Sequence, residues 1–184
     1  MPLLDRDDSV LVVVDAQPGF LPPEAEPALL RMAWLVALAR PLGVPIVVTE
    51  EEPERNGRTD ARVGERLPPE APVFTKPTFG LAGSPEILEA VRATGRGTVV
   101  LVGCETDVCV AQSAIGLRES GFTVVVVEDA TFSPGEMHER GLARIAGAGI
   151  ARNHAKGVTY EWLRTVEEAH AVLDSGALPR PPFS

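Results

Sequence analysis

Cysteine is nearly absent: Cys104 and Cys109 are the only two in 184 residues, and they lie in one short segment. A disulfide between them would close almost no loop, so a framework disulfide is excluded and a reduced, cytoplasmic setting is expected. Histidine is almost as scarce. His138, His154 and His170 are the only three and show no ligand-like spacing, so no metal and no other cofactor is expected. Positive charge is in deficit, with 17 Lys and Arg against 26 Asp and Glu and a net charge of −9. That balance argues against nucleic acid or an anionic membrane surface as the main partner, because both need clustered cations. Long apolar runs are missing too. The longest, 28–39, is interrupted by Arg31 and is too short to span a bilayer. The opening MPLLDRDDSV turns acidic within a few residues and has no basic segment leading into an apolar one, which argues against a secretory signal.

What is present is an ordinary globular composition, 45% hydrophobic and 23% charged, in a chain long enough for one full core. One domain over 1–184 is expected, with 175–184 as a C-terminal tail. Residues 10–14 (VLVVV), 46–49 (IVVT), 98–102 (TVVLV) and 123–127 (TVVVV) are apolar, β-branched and not alternating. Strands buried on both faces look like this. Weaker strand signals lie at 72–75 and 150–154. Helical segments fall between them at 27–40, 85–93, 107–120 and 136–148. Strand–helix alternation gives right-handed crossovers and a parallel sheet covered on both faces. The expected fold is therefore α/β, a three-layer α/β/α Rossmann-like arrangement around a mostly parallel six-stranded sheet. The polar stretch 50–71 is long for a connection and reads as a lid or a mobile loop. The segment 28–39 is apolar almost all round, as in a helix buried on two sides. A subunit interface is the expected second surface, and the tail is expected to pack on a neighbouring subunit.

In open parallel sheets, sites lie beyond the carboxyl ends of the strands. Three side chains fall there. Asp15 ends VLVVVDAQPGF; it is either a solvated loop carboxylate or a site residue. A phosphoryl-accepting aspartate usually has a second Asp two residues on, and here that position is Gln17. Cys109 lies in LVGCETDVCVAQSA. Gly103 permits a sharp turn and Thr106 is a good N-cap, which puts Cys109 in the first turn of a helix. Unpaired N–H groups and the positive helix end lower a thiol pKa there and offer an oxyanion site. The alternative is a small buried hydrophobe, the commonest fate of a free cysteine. Its place after a central strand favours the reactive reading, whereas Cys104 belongs to the turn and reads as structural. Lys76, in VFTKPTFG, is either a surface charge or a third site member. Spacing alone does not bring it to the other two, because strand order cannot be read from spacing.

Together these segments resemble the isochorismatase-like cysteine hydrolases, the superfamily of nicotinamidases and N-carbamoylsarcosine amidohydrolases. GCETDVCV is similar to the family's Gly-x-x-Thr-x-x-Cys-Val, VVVDAQPGF to its strand ending in Asp-x-Gln and then Phe, and TKPTF to its Lys-x-x-Phe. The resemblance runs from about residue 10 to the helix near Trp162. It implies Cys109 as nucleophile, Asp15 as general base and Lys76 as the cation that holds the thiolate. It also implies a cis peptide between Cys104 and Glu105, an oxyanion hole from the N–H groups of Glu105 and Cys109, and a substrate pocket lined by Gln17, Phe20, Phe79 and Thr106. The implied reaction is hydrolysis of an amide-type C–N bond in a small molecule through a thioester, by a homo-oligomer. Ester or vinyl-ether hydrolysis, or small-molecule binding without turnover, are the alternatives. Two departures bear on substrate. Nicotinamidases of the family carry an Asp and His metal cluster, and TEEEPERNGRTDARV contains no histidine. Isochorismate-cleaving members typically lack the nucleophilic cysteine, so Cys109 argues against vinyl-ether hydrolysis.

Overall fold

Val, Ile and Thr are stiff at χ1 and fit a pleated surface, and the valine-rich runs of this chain become the centre of a sheet. The computed structural model describes residues 2–183. Its strands are Ser9–Val14 (β1), Ile46–Glu50 (β2), Val73–Thr75 (β3), Thr98–Cys104 (β4), Thr123–Phe132 (β5) and Ala151–Asn153 (β6). They form one six-stranded sheet in the order β3-β2-β1-β4-β5-β6, and every neighbouring pair is parallel. Every residue of β1 and β2 is buried, whereas β3 and β6 are three-residue edge strands that are partly exposed. That explains why the edge strands gave the weaker signals. β5 continues past the expected end at 127 and re-pairs with β4 after a register shift, Gly103 opposite Thr131.

The helices are Glu26–Ala39 (α1), Pro53–Asn56 (α2), Ala61–Gly64 (α3), Pro85–Ala93 (α4), Ala111–Glu119 (α5), Met137–Gly147 (α6), Ala155–Leu163 (α7) and Val166–Leu173 (α8). Alternate residues of the strands face opposite layers. Leu11 and Val13 of β1 pack with α1 and α7, while Val10, Val12 and Val14 pack with α4, α5 and α6. The result is the three-layer α/β/α fold. No helix among the described residues is long and apolar enough to cross a membrane.

Two expectations change here. The second surface of α1 is supplied by this chain and not by a neighbouring subunit. α1 packs against the sheet, α3 and α7, and Trp34 Nε1 donates to Thr159 Oγ1 of α7 at 2.9 Å. The tail folds back as well, with Phe183 edge-on to Trp34 at 5.8 Å between ring centroids. A large indole beside an apolar tail segment accounts for the apolar circumference without a partner. Ser184, the last residue of that tail, and Met1 lie outside the described residues. The stretch 50–71 is likewise not a bare loop. It carries α2 and α3, buries Val63 completely, and is tied to the strand ends by Asp60 N donating to Ala16 O at 2.8 Å.

The chain winds outward from β1 to β3, then crosses back to place β4 on the other side of β1. Strand order therefore reverses between β1 and β4, and a crevice is expected at their carboxyl ends.

Candidate active site

The first residues past β1, β2, β3 and β4 are Asp15, Glu51, Lys76 and Glu105. The ladder sets two of them on either side of the end of β2. Asp15 N donates to Thr49 O at 3.0 Å and Lys76 N to Glu50 O at 2.9 Å. Asp15 then takes a left-handed backbone, φ +46°, so the chain leaves the sheet at once. Gly103 has φ +124°, and a Cβ there would collide with the Val14 carbonyl oxygen. Only glycine lets β4 approach β1 so closely at the switch point. On the far side, a Cβ on Gly141 of α6 would lie 2.6 Å from Asp107 N, so α6 packs directly on the segment that carries Cys109.

These elements bring three predicted residues into contact. Lys76 Nζ lies 2.7 Å from Asp15 Oδ2, with both side chains fully buried, and donates to Cys109 Sγ at 3.5 Å. Thr49 Oγ1 donates to Asp15 Oδ1 at 2.9 Å. A fourth residue, which the sequence reading passed over, completes the group. Glu51 Oε2 accepts from Cys109 Sγ at 3.3 Å and lies 3.5 Å from Lys76 Nζ.

Burial raises the Asp15 pKa above the ordinary carboxylate value, and Lys76 and Thr49 only partly offset it. For Lys76 burial works against the ammonium, but Asp15, Cys109 and Glu51 outweigh it and the pKa is raised. The Cys109 thiol is pushed up by burial and then by Asp15, against the pull of Lys76. The thiol pKa expected to be lowered is thus raised, which favours the protonated sulfur. Two carboxylates face one ammonium, so losing the thiol proton to water would add a third negative charge. Passing it to a carboxylate leaves the charge of the buried group unchanged.

The nucleophile segment also differs from expectation. Thr106–Val110 forms one wide π-turn before α5. Glu105 occupies the cap position, its carbonyl accepting from Val108 N at 3.2 Å and Val110 N at 3.0 Å. Thr106 therefore sits one residue inside the turn and is not the N-cap. Its hydroxyl instead pairs with His138 Nδ1 of α6 at 2.9 Å. The peptide between Cys104 and Glu105 is cis. Among the expected pocket residues, Gln17 is fully buried and holds main chain. Its Nε2 donates to Glu51 O at 3.0 Å and Gly57 O at 2.5 Å, and its Oε1 accepts from Glu51 N at 2.7 Å. Phe20 packs partly against the core, and Phe79 is 55% exposed.

Donor atoms of Asp15, Glu51 and Cys109 lie within 4.8 Å of one another, a grouping that in other settings holds a metal ion. It does not fit one here, because the Lys76 ammonium stands among the three donors at 2.7 to 3.5 Å.

The sequence pattern of the Isochorismatase domain matches residues 9–154. Isochorismatase domain-containing protein 1 of Danio rerio is 42% identical over 118 residues, covering 61% of this chain and 39% of that protein. The chain thus spans about two fifths of the length of that relative. The probable hydrolase YcaC of Escherichia coli K12 is 31% identical, covering 96% of this chain and 89% of that protein. Its crystal structure, described as an octameric hydrolase of unknown specificity, superposes with a TM-score of 0.87 at 27% identity, over 95% of this chain and 89% of that one. YcaC from Pseudomonas aeruginosa, solved with hexane-2,5-diol and covalent acrylamide, superposes with a TM-score of 0.81 at 29% identity, over 92% of this chain and 89% of that one. A domain match over most of the chain and a shared fold along nearly all of it place this protein in the isochorismatase family of hydrolases.

Proposed function

We propose that the protein hydrolyses the C–N bond of a small amide, with Cys109 as nucleophile, Asp15 as proton carrier and Lys76 as the cation beside the sulfur. The observation that carries this reading is the buried Lys76 ammonium touching both Asp15 Oδ2 and Cys109 Sγ at a topological switch point. The thiol proton passes to the Asp15 carboxylate, whose raised pKa narrows the gap between donor and acceptor. Sulfur bonds to the substrate carbonyl carbon, and the displaced π pair rests on oxygen, held by the N–H groups of Glu105 and Cys109. Collapse of that intermediate breaks the C–N bond, and the leaving nitrogen takes the proton from Asp15. Water then attacks the thioester, giving a proton to Asp15, and the acid product departs as the thiol is restored. Lys76 stays charged throughout and offsets the negative charge on sulfur. Phe20 and Phe79 are the apolar side chains of the proposed pocket. Gln17 and Thr106 act from behind it, holding the strand end and the nucleophile turn. Assembly into a homo-oligomer, as in octameric YcaC, belongs to the same reading.

Thiolates add across the double bond of acrylamide, and YcaC from Pseudomonas aeruginosa holds covalent acrylamide. The same reagent tests this chain. Mass spectrometry after exposure near neutral pH is expected to find the adduct on Cys109 and not on Cys104. It should form faster than on glutathione, and more slowly in Asp15→Asn and Lys76→Ala. Labelling of Cys109 no faster than glutathione in all three proteins would overturn the scheme.

A further inference from the structure

Glu51 is the member of the cluster that the nucleophile scheme leaves without a role. Its side chain is 21% exposed, against none for Asp15 and Lys76, and Cys109 is 4% exposed. Of the three charged side chains around the sulfur, it is the one that reaches solvent. Its placement is built from three sides. The fully buried Gln17 amide holds both the N–H and the carbonyl of Glu51, and Asn56 Nδ2 donates to the same carbonyl at 2.9 Å. The backbone turns left-handed at Glu52, φ +40°, immediately afterwards.

A base role falls to Asp15 first, because burial has raised its proton affinity while Glu51 keeps contact with water. A metal role is closed by Lys76. What remains follows from the hydrogen bond that Glu51 makes now. Oε2 accepts the Cys109 thiol proton; once that proton moves to Asp15, the carboxylate loses its donor and faces a thiolate. A substrate N–H restores the bond. Glu105, across the strand ends, has its pKa raised by burial and then by the charges of Asp107 and Glu51, so a second carboxylate lies within electrostatic reach.

We propose that Glu51 selects the substrate, accepting a hydrogen bond from an N–H beside the scissile carbon and turning away molecules that carry a carboxylate there. The substrate class is then a neutral or cationic amide or ureide with at least one N–H. This rests on the hydrolase reading for its chemistry, but it is tested separately.

Iodoacetamide and iodoacetate are similar in size and differ in charge and N–H donors. Their alkylation rates at Cys109, read by mass spectrometry, are to be compared with those of glutathione at the same pH. Wild type is expected to prefer iodoacetamide about tenfold more strongly than glutathione does, the size of one charged contact. Glu51→Gln, which keeps the main-chain clamp, is expected to bring that preference close to the glutathione value, chiefly by speeding iodoacetate. Glu51→Ala should do the same and guards against a new bond from the glutamine. An unchanged preference in both folded variants overturns the assignment of Glu51. The hydrolase reading fails on a different measure, the absolute rate at Cys109, and the reagent preference stays readable even when that rate is slow.

Discussion

Cys104 and Cys109 sit at the two ends of one short turn, and each is almost closed to solvent, at 0% and 4% exposure. They face opposite layers of the sheet. Cys104 packs among Val102, Ala16 and the α1 side chains, and Cys109 lies in the layer under α5. Burial is the leading cause that raises both thiols. The two regions differ in company. Cys104 lies in the apolar core and feels the charges of Asp15 and Glu105 with no cation among its influences, whereas Cys109 touches an ammonium and a carboxylate and stands beside a second carboxylate. A resting thiol with a raised pKa is therefore compatible with a nucleophile, provided that an internal acceptor shares its pocket. Burial alone yields an inert cysteine.

The comparison breaks most completely if Lys76 is lost. Lys76→Met leaves Asp15 buried with only the Thr49 hydroxyl and the Cys109 thiol to answer its charge, and removing one partner of a buried ion pair costs about 3–5 kcal/mol. Urea unfolding at pH 7 should show that loss, and Cys109 should become as unreactive as Cys104. The sign with pH follows from Asp15. A folded pKa above the unfolded value gives stability that is complete below the unfolded pKa, near about 4, and is lost as pH rises through the folded one. Removing the cation lifts the folded value further, so the deficit of the variant should shrink as pH falls toward 5. A deficit that does not change with pH would mean that Asp15 is not the group left unpaired.

A smaller effect is expected from Gln17→Ala. It frees the Glu51 N–H and the carbonyls of Glu51 and Gly57 from their side-chain partner, at a cost of about 1–3 kcal/mol for buried groups left unsatisfied. Cys109 should keep its reactivity toward iodoacetamide while its preference over iodoacetate declines, because Glu51 is no longer held in place. Equal losses with both reagents would show that Gln17 supports the nucleophile turn and not Glu51.

The layers of the fold were legible because β-branched runs and their spacing are local properties. Residues 10–14, 46–49 and 98–102 fall within β1, β2 and β4. Strand order is not local, and Lys76 shows the consequence. It reaches Asp15 only because β3 lies beside β2 and β2 beside β1, a fact that no spacing in VFTKPTFG contains. Glu51 was missed for another reason. It sits in a run of three glutamates, 50–52, whose fates diverge by position alone. Glu50 is buried and accepts from Thr59 N at 2.8 Å, Glu51 turns to the sulfur, and Glu52 pairs with Arg55 at the surface. One signal would have found it. Asp15, Glu51 and Lys76 are each the first residue past a strand, and the same rule that singled out Asp15 as a candidate applies to Glu51 once β2 is extended to residue 50. Thr106 failed as an N-cap because the turn starts one residue earlier and is wound wide, which propensity does not reveal.

The finest test of the two-cysteine comparison is alkaline stability. In the unfolded chain a thiol ionises near pH 9, and in the native protein both are raised above that. Each therefore contributes stability that is complete below about pH 9 and is lost as pH climbs toward its folded pKa. Above pH 9 the unfolded state holds one proton fewer per thiol, so stability should fall by about 1.4 kcal/mol per pH unit for each. Cys104→Ala should halve the thiol contribution to the slope measured by urea unfolding between pH 9 and 10. At pH 7 the same variant should lose only about 1 kcal/mol, the ordinary size of a small change in a core. Other groups titrate alike in both proteins and cancel in the difference. Cys109→Ala then separates the two sites. If it flattens the slope as much as Cys104→Ala does, the native protein holds both thiols protonated and only the internal transfer to Asp15 makes one of them a nucleophile. If it makes the decline steeper instead, Cys109 is already ionised in the folded state under the hold of Lys76, and its resting form is the thiolate.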